Sequence, residues 1–98
     1  MDFTERLNEQ ERTLFDALRS KLKVLGSDVV EQVRMHRVVY SRGFSFRDFC
    51  EVTLKQRKLV LTLISPYTQG GVAGSIPIMS NDDIGKALPL VRDAYERV

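Results

Sequence analysis

Asp48-Phe49-Cys50-Glu51-Val52-Thr53-Leu54-Lys55, then Gln56-Arg57, then Lys58-Leu59-Val60-Leu61-Thr62-Leu63-Ile64: this stretch of the 98-residue chain decides the fold. Both halves alternate with the two-residue period of a strand. A two-residue loop at Gln56-Arg57 predicts Leu54 opposite Leu59, Val52 opposite Leu61 and Cys50 opposite Leu63. All of these then lie on one face, which must be covered. Gln-Arg is a poor primed turn, so a four-residue loop from Lys55 to Lys58 is the alternative. Phe49, Val60 and Ile64 fall on the other face among charged residues. Such a mixed surface suits a protein contact, so these three are the candidate protein interface.

Upstream, Asn8 and Glu11 have the spacing of a capping box, and Leu14, Leu18, Leu22 and Leu25 recur at helical spacing beside Phe15. This predicts a helix over 9–25, stopped by Gly26. Val33 to Tyr40 is rich in β-branched residues and predicts one strand, ending at a Ser41-Arg42-Gly43 turn. Downstream, Ser65 to Gly74 reads as a loop that could serve as a binding lid, since loops of this length are often functional. Ser75 to Met79 follows as a short strand, and Pro77 confines it to a sheet edge. Ser80 or Asn81 caps a last helix with Asp82 and Asp83 in its first turn. Its stripe is Ile84, Leu88, Val91, Tyr95 and Val98, and Pro89 predicts a kink or break near Leu88.

The order is helix, four strands, helix. The two amphipathic helices must cover the Cys50/Val52/Leu54/Leu59/Leu61/Leu63 face. The prediction is an α+β two-layer sandwich of one domain, 1–98, with a four-stranded antiparallel sheet and both helices on one face. No apolar run exceeds three residues, so no segment reads as membrane-spanning. The N-terminus lacks the basic and apolar regions of a signal peptide, and a cytoplasmic setting is expected. One cysteine and one histidine exclude an internal disulfide, a Cys-rich zinc site and a His-pair metal site. No cofactor or metal is called for.

Charge is unevenly spread. Residues 33–64 hold Arg34, Arg37, Arg42, Arg47, Lys55, Arg57 and Lys58 against Asp48 and Glu51, while both flanks are mildly acidic. Such a block attracts anions or nucleic acid if it converges, and otherwise is a set of solvated turns and strand faces. Arg34, Arg42, Lys55, Arg57 and Lys58 are the candidate anion or nucleic-acid contacts.

Arg42-Gly43-Phe44-Ser45-Phe46-Arg47-Asp48-Phe49 nearly matches the octamer with which RNA-recognition domains stack bases. Arg47 occupies the aliphatic site, and the element order around the octamer is wrong. Without a bulge, Phe44 and Phe46 also share the core face with Cys50, so packing is the expected role. Arg34, His36 and Tyr40 would share a strand face, yet no partnered base completes an acid–base set. Cys50 reads as a buried small hydrophobe. Gly70 to Ser75 lacks the strand before and the Lys-Ser/Thr after that a phosphate loop needs.

The helix ending near Leu25-Gly26-Ser27-Asp28-Val29, the strand ending in Tyr40, Arg42-Gly43 and Phe49 form one group of landmarks. Lys58-Leu59-Val60-Leu61 and Leu90-Val91-Arg92-Asp93-Ala94-Tyr95 form another. Together they resemble an uncharacterised bacterial family of about this length, often labelled predicted transport protein. Its members stand alone or end restriction- and nuclease-related chains. The resemblance implies a shared fold and a setting in DNA defence or mobile elements, and no activity. The expected function is a non-enzymatic accessory or protein-interaction domain, as a homodimer or with a protein partner. The alternative is a nucleic-acid-associated module using the basic block 33–64.

Overall fold

The computed structural model describes residues 2–43, 47–64 and 72–98. In chain order they form a 3-10 turn (Thr4–Arg6), α1 (Glu9–Lys23), β1 (Val29–Val33), β2 (Arg37–Arg42), β3 (Arg47–Lys55), β4 (Lys58–Ile64), β5 (Val72–Ile78) and α2 (Asn81–Arg97). The strands make one antiparallel sheet in the order β1-β2-β3-β4-β5, a simple meander.

The central hairpin pairs as its alternation dictates: Leu54 with Leu59, Val52 with Leu61, Cys50 with Leu63. Lys55 pairs with Lys58, so the loop is the two-residue one. Gln56 and Arg57 both take left-handed backbone, at φ 51° and 61°, the pattern of a type I′ turn. Neither residue favours that region. Arg57 is held there by an ion pair to Glu11 and a 3.5 Å hydrogen bond to the Arg6 carbonyl.

The sheet has five strands where the sequence predicts four. The segment predicted as one strand over 33–40 is a turn flanked by two strands, with Arg34 N–H bonded to the Arg37 carbonyl at 2.8 Å across Met35-His36. That turn holds no Gly, Pro, Asn or Asp. Val29-Val30-Glu31-Gln32-Val33 also lacks clean alternation, because an edge strand at the rim of the core buries little on either side. β5 is longer than the predicted 75–79 and has Pro77 on the outermost strand, as expected.

Both helices pack on the predicted face. Phe15, Leu18 and Leu22 of α1 and Ile84, Ala87, Val91 and Ala94 of α2 join Val38, Tyr40, Cys50, Val52, Leu59, Leu61, Leu63 and Ile78 in one core, closed at one end by Phe3 and Leu7. The Asn8–Glu11 capping box is present in both directions at 2.8 Å. α1 ends two residues earlier than predicted, capped by Val24 rather than by a left-handed Gly26. Gly26 is required for another reason: a Cβ there would lie 1.9 Å from the Tyr95 hydroxyl. Ser80 caps α2, and the helix continues unbroken through Pro89. Pro89 and Gly85, whose carbonyl it leaves without an N–H partner, are both exposed, so water can take that bond.

Phe49 is the main departure from the predicted faces. Tyr40 pairs with Cys50 but Ser41 pairs with Asp48, so Phe49 is the extra residue of a bulge. The bulge turns its ring inward, fully buried and edge-on to Tyr95 at 5.4 Å. Phe49 is therefore a core residue and not part of an outer interface. Strict alternation from Cys50 assigned it to the wrong face.

Candidate functional site

Three polar clasps tie the helices to the sheet, and they engage two of the seven basic residues of the 33–64 block, Arg42 and Arg57. In the first, β1 and β2 place Glu31 and Tyr40 opposite one another on the helix side. Arg19 of α1 meets Glu31 with two hydrogen bonds, at 2.5 and 3.1 Å, and the Tyr40 hydroxyl donates to it at 2.7 Å. Lys23 stands 3.6 Å away, and the Glu31 side chain is only 9% exposed. Burial alone would raise the Glu31 carboxyl, but Arg19 and Tyr40 outweigh it and hold the group below its ordinary range. Burial and the same carboxylate push the Tyr40 hydroxyl far up, so it stays a neutral donor.

In the second clasp, Asp28 accepts from Tyr95 at 2.6 Å and from Arg42 at 2.9 Å. These bonds, the tyrosine's first, lower its carboxyl. Arg42 also donates to the Tyr95 carbonyl at 3.2 Å and stacks 4.2 Å over its ring. In the third, Arg57 pairs with Glu11, itself 10% exposed.

These clasps decide the fate of the predicted contacts. Arg42 is committed to Asp28 and Tyr95, at the end of β2 opposite the β1–β2 turn. Arg57 is committed to Glu11. Arg34, Lys55 and Lys58 are exposed in the β1–β2 and β3–β4 turns, which the meander places at one end of the sheet. Four of the five, Arg57 among them, therefore share one end of the sheet, and Arg42 lies at the other. Val60 and Ile64 are half-buried on the sheet face away from the helices. Around them Val39, Ser41 and Thr62 are buried, so that face offers little apolar area.

His36 is exposed in the β1–β2 turn, so the face it would share with Tyr40 on a single strand does not exist. Cys50 is fully buried and its thiol is pushed up by that burial, as expected of a packing residue. Phe44 and Phe46 of the octamer, and residues 65–71 of the predicted lid, lie outside the described residues. Among the described residues no cluster of His, Cys, Asp and Glu could hold a metal, and no helix is long and apolar enough to cross a membrane.

Two features escaped the sequence reading. A groove of about 920 Å³ runs between the start of α1, β4 and the end of β5, floored by Leu14, Leu59, Ile78 and Met79. Its central charges, Glu11 and Arg57, satisfy one another. The other is the β1 edge. Val30 is 40% exposed, Val33 37% and Met35 57%, on the two faces of an outermost strand and in its turn. The consecutive valines at 29–30 were the available signal.

The Glu31 clasp makes stability depend on acid. A carboxyl held below its ordinary value stabilises the fold above that value and loses the contribution as pH falls through the lowered one. Glu31→Gln is expected to be less stable than wild type near pH 7 and to show a shallower loss between about pH 5 and pH 2, Asp28 and Asp2, also lowered, supplying the remainder. Urea midpoints across that range measure it; parallel curves for the two proteins would exclude the clasp as the acid-sensitive element.

No family model, curated protein or solved structure matches the chain.

Proposed function

We propose that the chain is a non-enzymatic protein-interaction domain of the α+β class, working in the cytoplasm and related to the bacterial family its landmarks resemble. The observation that carries this reading is how its side chains are used. Arg19, Arg42 and Arg57 are spent on internal carboxylates, while apolar side chains stand exposed along the β1 edge. Cations meant for phosphate would stand free, and an enzyme would leave titratable groups facing a cleft. Here Tyr40 and Cys50 are buried, and of the charged groups lining the groove, Glu9, Glu11, Arg57 and Lys58, Glu11 and Arg57 pair with one another.

The exposed trio Arg34, Lys55 and Lys58 at one end of the sheet favours the second reading, a nucleic-acid-associated module. Titration of labelled duplex and single-stranded DNA at low salt separates the two. The interaction reading expects no saturable binding. Three phosphate contacts would instead give a slope of log K against log[salt] of roughly −3, and that result would replace the first reading with the second.

A further inference from the structure

We propose that the partner of the β1 edge is a second copy of this chain, paired antiparallel about Glu31 so that two sheets become one. The inference rests on the interaction-domain reading and adds the partner and the contact. Hydrogen-bonded and non-bonded pairs alternate along an antiparallel ladder. In the β1–β2 register Gly43 N–H bonds the Asp28 carbonyl at 2.7 Å and Arg34 N–H bonds the Arg37 carbonyl at 2.8 Å. Val30 and Gln32 are then the bonded positions between them, and Val29, Glu31 and Val33 turn their backbone groups to the open edge. The Val29 N–H is taken by the Gly26 carbonyl at 3.4 Å.

The free groups are self-complementary. With Glu31 opposite Glu31 of the second copy, the two residues exchange N–H and carbonyl bonds. Each Val33 N–H meets the Val29 carbonyl across the junction. A two-fold axis therefore forms the same bonds from both strands, each Val33 carbonyl alone facing a Val29 N–H already taken, as an isologous interface allows. Side chains agree with this register: Val29 faces Val33 on the helix side, and Val30 faces Gln32 on the other.

The facing carboxylates do not oppose the pairing. Each Glu31 already has two cations, Arg19 and Lys23, with Asp16 beside Arg19, so its charge is compensated within its own copy. The opposite edge of the sheet supplies the contrast. In β3–β4 the bonded pair Lys55–Lys58 fixes the alternation, so β4 bonds β5 through Leu59, Leu61 and Leu63. Pro77, opposite Val60, then points its ring nitrogen outward and blocks that edge. β1 carries no proline or lysine, two of the residues that blunt edges.

The test is sedimentation equilibrium and amide exchange on the whole chain from about 5 to about 200 μM. The expected result is a monomer–dimer equilibrium in which the Glu31 and Val33 amides become protected as concentration rises. Val33→Pro, which costs no bond to β2, should weaken association by about 100-fold or more. Val60→Glu, on the face away from the helices, should leave it unchanged. A monomer throughout overturns the second-copy proposal, and so does a dimer without protection at Glu31 and Val33. Either result leaves a foreign protein as the occupant, and only the DNA titration bears on the interaction reading itself. The exchange measurement needs no variant, so a misfolded Val33→Pro would not spare the proposal.

Discussion

The Phe49→Ala protein is expected to lose about 3–5 kcal/mol of stability, the range for emptying a large aromatic site in a core. The ring is fully buried and meets the Tyr95 ring edge-on. Tyr95 in turn reaches Asp28 and lies under Arg42, so the cavity opens beside a polar clasp. A water entering there would compete for the Asp28 and Arg42 bonds, which places the cost toward the upper end of the range. Chemical denaturation measures the loss. A value below about 1 kcal/mol would mean that Phe49 lies on the surface, as plain alternation from Cys50 predicts. It would remove the bulge from the description of β3.

Leu61→Ala is expected to cost about 2–5 kcal/mol. Leu61 is fully buried on β4, opposite Val52 and Ile76, beneath the helix layer that carries Leu18 and Val91. β4 has a strand on each side, so the backbone around it is poorly placed to collapse into the space left. A loss below about 0.5 kcal/mol by denaturation would place Leu61 outside the core and overturn the register of the central hairpin.

The central register was legible because its alternation is strict. Val52, Leu54, Leu59, Leu61 and Leu63 leave one consistent pairing, and the two helices then have one face to cover. The caps were legible too, since Asn8–Glu11 and Ser80 act through local hydrogen bonds. β1 was not legible. Its turn carries no special residue, and its Glu31 is polar on the inward side because Arg19 and Tyr40 satisfy it there. The bulge at Phe49 was hidden for a related reason. It depends on what packs beneath the ring, namely Tyr95 from the far end of the sequence.

The charge pattern left two readings open. Seven basic residues over 33–64 look like a surface until their partners are known. Asp28 lies 14 residues from Arg42, and Glu11 lies 46 from Arg57. A count along the chain cannot see such pairings. Of the other five, Arg37 faces Glu51 across the sheet, and Arg34, Arg47, Lys55 and Lys58 are exposed in turns and at strand ends.

The meander also sets the order in which the molecule can assemble. Each strand pairs only with its neighbours in sequence, so the sheet can grow by successive short closures with a small entropic cost each. The long closures join the helices to the sheet and to each other: Leu18 and Val91 in the core, Arg57 to Glu11, and Tyr95 to Asp28 across 67 residues. Contacts of high sequence separation form late when nearer ones suffice to begin. Leu61→Ala is therefore expected to slow folding more than it speeds unfolding, as stopped-flow rates would measure. Tyr95 and Asp28 act as a latch that closes afterwards, and its strength governs how slowly the finished protein comes apart.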